Sequence, residues 1–169
     1  MTDSSRTVTD SAPPARLEIR LESDAEAVKT VQRAVLAGLL ACNHEHAGES
    51  HQAALTLSAR LPDDSVAGGL VGVTAWGWLY VHLLWVEEPH RRRGIGRELL
   101  RAAESEAQRR GCAAACLDTL DFQAPQFYER EGYTVFGVLE NFPPGHRRLY
   151  MRKSLARHAG PGSEAPPAS

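Results

Sequence analysis

Residues 79–100 read LYVHLLWVEEPHRRRGIGRELL, and the fold turns on this stretch. Leu79 to Val86 is a run of leucine, β-branched and aromatic residues with no breaker, which reads as a largely buried strand. From Ile95 the apolar positions change to helical spacing: Ile95, Leu99, Ala102 or Ala103, then Glu106 or Ala107, with Arg and Glu on the opposite face. Strand and helix are joined through Arg91-Arg92-Arg93-Gly94-Ile95-Gly96. Two glycines let the backbone come close to a ligand, and the first N–H groups of the helix are left unpaired. Together with the helix dipole and the arginines, they form a phosphate-binding turn. The spacing is not that of a P-loop, which needs Lys-Ser/Thr after its second glycine, and Leu99 stands where a dinucleotide fingerprint has its third. A tight turn beside a solvated arginine run is the plainer reading, and spacing alone does not choose between the two.

The chain has 169 residues, 43% of them hydrophobic and 24% charged, which suits one soluble domain with a sizeable core. That domain is expected over 16–156, between polar tails at 1–15 and 157–169 that have little to bury. A net charge of -2 argues against nucleic acid as a partner. Cys42, Cys112 and Cys116 lack metal or redox spacing, which suits a reducing compartment. No run reaches membrane-span length, and the N-terminus is Ser/Thr-rich rather than signal-like, so the expectation is a cytoplasmic protein without a membrane partner.

Outward from the central stretch, Arg16–Leu21 alternates and reads as a first strand. Ser23 with Glu26 forms a capping-box pattern, opening a helix that ends near Leu40 or Ala41. The polar Cys42–His51 segment reads as a loop. Its His44, Glu45, His46 and His51 raise a metal site, but zinc wants ligands from well-separated rigid segments and nothing else converges, so no metal is expected. Strands are expected over Leu55–Arg60 and Val66–Thr74, the second with a bulge or close approach at Gly68-Gly69, and the pair Trp76 and Trp78 reads as core filling ahead of a pocket wall. Further on come a strand over Ala113–Thr119, a helix over Ala124–Glu131, and strands over Tyr133–Leu139 and Arg147–Leu155.

Arg91-x-x-Gly94-x-Gly96 after an apolar strand resembles the acyl-CoA pyrophosphate loop of the GCN5-related N-acetyltransferases (GNAT). Ala124-Pro125-Gln126-Phe127-Tyr128-Glu129-Arg130-Glu131-Gly132-Tyr133 is similar to that family's A-x-x-F-Y-x-x-x-G-F/Y segment, at about the family's separation. The likeness is carried by motif over Leu79–Leu155 and only by pattern before it. It implies an α/β fold: a mixed, mostly antiparallel sheet of six to seven strands flanked by helices. It also implies acetyl-CoA as co-substrate, held by the backbone of Arg92, Arg93, Gly94, Ile95, Gly96 and Arg97, with Arg91, Arg92 and Arg93 adding charge. The backbone at Trp85 and Val86 would hold the acetyl carbonyl. Where the family often has Asn three residues before the alanine, this chain has Asp121, which puts one contact to the CoA arm in doubt. Pro89 stands one place later than the family's usual proline.

Tyr128 aligns with the family's general acid, against the alternative of a tyrosine that merely packs on the sheet. By alternation His82 shares a face with Tyr80 and Leu84. A histidine in an apolar strand can be a satisfied core residue, but the resemblance aims this face at the acetyl group, and arylalkylamine-type members carry a histidine here. His82 is therefore the candidate base, with Glu45, Glu87 and Asp118 in reserve. Asn43, Glu45 and Tyr80 are candidate acceptor contacts. The implied activity is acetyl transfer to a primary amine of a small molecule, such as an antibiotic amino sugar, a polyamine or an amine metabolite. A protein acetyltransferase and a non-catalytic acyl-CoA sensor stay open as alternatives, and so does a homodimer.

Overall fold

The computed structural model describes residues 17–155. They fall into two compact units, one ending at His46 and one beginning at Ala47. The first holds all but the last residue of helix α1, Ala25–Ala47. Asp24, not Ser23, caps it: its Oδ1 accepts from the backbone N–H of Glu26 at 3.0 Å and of Ala27 at 2.9 Å. The helix continues through the stretch expected to be a loop, because polarity alone does not break a helix and neither Gly nor Pro stands between Cys42 and Gly48. The His46 ring, as Nδ1–H, donates to the Cys42 carbonyl oxygen at 2.8 Å and helps satisfy the last turn. Gly48, at φ 68°, then ends it. Residues 17–21 form no strand, since alternation without a partner ladder does not hold one. Arg16 and the tails expected at 1–15 and 157–169 lie outside the described residues.

The second unit is a mixed six-stranded sheet. Its strands are β1 (Ala53–Arg60), β2 (Val66–Ala75), β3 (Trp78–Val86), β4 (Ala114–Leu120), β5 (Thr134–Glu140) and β6 (Arg147–Ser154), with helices α2 (Ile95–Arg109) and α3 (Pro125–Arg130). The spatial order is β1-β2-β3-β4-β6-β5, and only β3 and β4 run parallel. This is the mostly antiparallel α/β architecture expected, at the six-strand end of its range. Among the described residues no helix is long and apolar enough to cross a membrane.

The core lies on one sheet face. Leu99, Leu100, Ala103 and Ala107 of α2 pack with Leu79, Val81, Leu117 and Met151 of the sheet and with Tyr128 of α3. Full burial of such a leucine contributes about 1.5–3 kcal/mol. Glu104 on the same helix face is buried too, and Lys153 of β6 donates to it at 2.6 Å. Trp76 is not core: with Gly77 it forms the β2–β3 turn, both residues at positive φ, and it is exposed.

One irregularity positions everything that follows. In the β2–β3 register Val71 faces Leu83 and Gly72 faces Val81, so His82 is an extra residue on β3. The bulge resets the alternation: Leu84 and Val86 pack on the core with Leu79 and Val81, while Tyr80 is exposed. Leu84 therefore does not share a face with Tyr80, as strict alternation had it. The Gly68-Gly69 pair adjoins a separate bulge against β1, where Ala59 faces Gly68 and Arg60 faces Val66, and both glycines approach backbone closely. The β3–β4 pairing runs only from Trp78↔Ala114 to Val81↔Leu117 and stops at the bulge. A side chain at Gly72 would place its Cβ 2.5 Å from the Tyr80 carbonyl oxygen, so the bulge requires glycine there. Gly72→Ala is expected to destabilise the protein by about 1–3 kcal/mol, seen as a lower denaturant midpoint. An unchanged midpoint would remove the steric account.

Candidate active site

Beyond Val81 and Leu117 the two parallel strands part, and a cleft of about 800 Å³ opens in the fork. The β4-facing backbone of His82 to Val86 finds no strand partner there. At the far end of β3 a single 3-10 turn, Glu88–His90, leads to the arginine turn. Arg92 at φ 62° and Gly94 at φ 89° both adopt the left-handed conformation, which is strained for arginine and not for glycine. Gly94 caps α2 without a side-chain hydrogen bond, and the first helical bond runs from Glu98 N–H to the Gly94 carbonyl. The N–H groups of Ile95, Gly96 and Arg97 thus stay outside the ladder, at the positive end of the dipole. A Cβ on Gly96 would lie 3.7 Å from Phe127 and 3.8 Å from Val86, so this glycine sits where helix, α3 and β3 pack together.

The arginines divide their work. Arg91 Nε donates to the Val86 carbonyl oxygen at 2.9 Å and ties the turn to the end of β3. Arg97 and Arg101 donate to the two oxygens of Glu131, at 2.8 and 3.1 Å. Arg92 lines the cleft and has no hydrogen-bond or ion-pair partner among the described residues, whereas Arg93 does not line it. Arg130, unremarked in the sequence, does.

His82 and Tyr128, drawn from different elements, meet in this cleft with Trp85, Val86, Arg91, Arg92, Gly94, Ile95, Gly96 and Arg97. Tyr128 is only 9% exposed. Burial first, and the negative charge of Asp118 second, push its hydroxyl up to about 12, so it stays protonated at neutral pH. Asp121 is not among the lining residues: its carboxylate accepts from the His146 ring and the Arg147 backbone N–H, each at 3.1 Å, and ties β4 to the start of β6. Those hydrogen bonds outweigh partial burial and hold it below the usual carboxylate range. Tyr80 faces Cys116 across the β3–β4 register and does not line the cleft. Asn43 and Glu45 lie on α1, in the first unit. Among the reserve bases Asp118 lines the cleft, while Glu87 stands 3.6 Å from His90. Gln123 was missed; its Oε1 accepts from the Thr119 hydroxyl and the Leu120 N–H and shapes the β4–α3 turn, and only its place before Ala124-Pro125 hinted at this.

The chain matches the model of the "Acetyltransferase (GNAT) family" over residues 22–133. It belongs to that family. An acetyltransferase of Agrobacterium fabrum is 44% identical over 131 residues, covering 78% of this chain and 93% of the relative. A blasticidin-S acetyltransferase of Streptomyces morookaense is 46% identical over 91 residues, covering 53% of this chain and 67% of that one. A crystal structure from Agrobacterium tumefaciens, of a protein described as an acetyltransferase, superposes with a TM-score of 0.71 at 41% identity, covering 82% of this chain and 98% of that one. This GNAT protein is an N-acetyltransferase.

Glu131 supplies a test of how the site is braced. Burial would raise its carboxyl, but the hydrogen bonds from Arg97 and Arg101 hold it below the ordinary range. A carboxyl lowered by folding adds stability above its unfolded value of about 4.3, and that stability is lost as pH falls through the folded value. Glu131→Gln is expected to cost about 1–3 kcal/mol at pH 7. The gap in melting temperature to the wild type should narrow as pH drops from 6 towards 3, and a gap independent of pH would contradict the pairing.

Proposed function

We propose that this enzyme transfers the acetyl group of acetyl-CoA to a primary amine of a small molecule, with the reaction seated in the fork between β3 and β4. The observation that carries this reading is the fork itself: a free strand edge that ends at an uncapped helix start, with a buried, protonated tyrosine between them. The name of the Streptomyces relative supports an antibiotic-type amine as the acceptor class.

The residues present fit an acyl-CoA. The N–H groups of Ile95, Gly96 and Arg97, with the Arg92 guanidinium, would hold the pyrophosphate. The unpaired β3 edge offers the alternating donors and acceptors that an amide-bearing arm can pair with as a further strand would. Acetyl-CoA supplies the acetyl group as an activated thioester. Backbone N–H groups around Trp85 and Val86 would polarise its carbonyl. An alkylamine is an ammonium at neutral pH, with a pKa of about 10.4, and must lose a proton before its nitrogen can form the new bond to the acetyl carbon. His82, turned into the cleft by the bulge, takes that proton. Tyr128 presents its hydroxyl to the sulfur as the carbon–sulfur bond breaks.

Thiol release from acetyl-CoA, measured with a panel of blasticidin S, an aminoglycoside, spermidine and glycine, tests the activity; no release with any amine would overturn it. With the best amine, Tyr128→Phe should bind CoA as before and lower kcat by something like 10²-fold. An unchanged kcat would leave Tyr128 a packing residue. His82→Ala should abolish the rise of kcat/KM with pH that a general base produces. A rise that survives in a stable variant places the base elsewhere.

A further inference from the structure

The cleft is electrically lopsided. Its arginines, Arg91, Arg92, Arg97 and Arg130, belong to the turn, α2 and α3. Among the described residues that line it, Asp118 is the one carboxylate, and it stands at the fork. Val81↔Leu117 is the last paired position, so the next residue on each strand is His82 and Asp118, and the two flank the point where the strands part. Asp118 alternates with buried Leu117 and Thr119, and its side chain leaves on the sheet face away from the core.

On that same face Asp118 is braced. Arg148 and Tyr150 of β6 alternate with Leu149 and Met151, which pack on the core. Arg148 Nε donates to Asp118 Oδ2 at 2.6 Å. The guanidinium lies over two rings, 5.5 Å from the Phe142 centroid and 5.8 Å from that of Tyr150. A guanidinium held between rings and bonded through one N–H fixes the carboxylate it touches. Oδ1 accepts no hydrogen bond among the described residues. A mere clamp between β4 and β6 would add little, because those strands already pair over seven successive positions, Ala114↔Ser154 to Leu120↔Arg148.

Building on the acetyltransferase reading above, we propose that Asp118 is the seat of the acceptor's ammonium group, with Arg148 as its positioning residue, and that the enzyme selects cationic amines. An incoming ammonium would lie against Oδ1, between Asp118 and His82, and His82 then receives its proton. Positive charge elsewhere on the acceptor is drawn to the same carboxylate, and an amine carrying a neighbouring carboxylate is repelled by it.

Steady-state kinetics on wild type, Asp118→Asn, Asp118→Glu and Arg148→Gln, with the best cationic amine of the panel and with glycine, test this. The expected result is a KM for the cationic amine raised roughly 10- to 100-fold in Asp118→Asn, the size of a lost hydrogen bond between charged groups. The KM for acetyl-CoA should not move, Asp118→Glu should recover part of the loss, and Arg148→Gln should fall between. In the wild type the amine KM should climb with ionic strength, and in Asp118→Asn that dependence should flatten. An amine KM unchanged in Asp118→Asn overturns the proposal and leaves the acetyltransferase reading intact. So does a joint rise of both KM values with a lower melting temperature, which marks a structural clamp, and so does a wild type that prefers glycine. A wild type that turns over no amine fails the broader reading first, and the seat with it.

Discussion

The structure depends on a mismatch of one residue. β2 and β3 pair along their whole length only because His82 is left out of register, and the strand bends where it is left out. β4, paired in parallel up to Leu117, goes on straight to keep its seven positions with β6. The two strands cannot both satisfy their neighbours and stay together. They part, and a sheet that would otherwise be continuous gains an internal edge. Buried backbone N–H and C=O groups are costly to leave unpaired, so an edge facing a cleft is a standing invitation to a ligand that can hydrogen-bond like a strand. Gly72 makes the bend sterically possible, which places one determinant of the active site on a strand that does not line it.

The arginine-turn end of the cleft is built more from backbone than from side chains. A sequence with Arg91, Arg92 and Arg93 in a row suggests three equivalent cations. In the folded protein Arg91 is spent on a carbonyl, Arg97 on Glu131, and Arg93 does not line the cleft. What remains is a helix start with three N–H groups free, and Arg92 held at positive φ beside it. Holding a non-glycine residue there costs of order 1–3 kcal/mol. The bonds of Arg91 and Arg97 keep the turn in shape, so the run contributes as much by bracing as by charge.

The sequence made this turn readable because glycine chemistry is local: a left-handed Gly94 leaves a mark that survives without tertiary context. Tyr128 was singled out by the resemblance alone, while the α/β order was legible in the apolar runs and the breakers between them. The bulge was not. Leu79 to Val86 is apolar almost throughout, so no change of polarity records the switch of faces at His82, and strict alternation put Leu84 on the wrong side. α1 was cut short because its last turns are polar, and a strand was expected over Arg16–Leu21 from an alternation that had no edge to pair with. Asp118 drew notice only as a reserve base, because its worth comes from Arg148, thirty residues on, and from rings that no spacing rule connects to it.

Two buried tyrosines stand close together, Tyr128 and Tyr133, with ring centroids 6.0 Å apart, and both hydroxyls are pushed up by burial. Acidity therefore does not tell the two apart, and position does. Tyr133 is 2% exposed, lies under Lys153, and has no access to the cleft, whereas Tyr128 lines it. Its high value also limits what it can do. A tyrosine at about 12 facing a thiolate whose acid titrates in water at about 8.5 would give up its proton uphill by about 3.5 units, or about 5 kcal/mol. That is too much for transfer to a thiolate that behaves as it does in water. Two effects shrink it. In the proposed reaction the departing sulfur would share the same desolvated cleft, which would raise its own proton affinity. And before the carbon–sulfur bond is fully broken, the hydroxyl needs only to donate a hydrogen bond to the growing charge, which a neutral tyrosine at any pH below its own value can do. In the proposed reaction Tyr128 would therefore act first as a donor to developing charge, and would complete the proton transfer only as far as burial made the thiolate basic enough to take it.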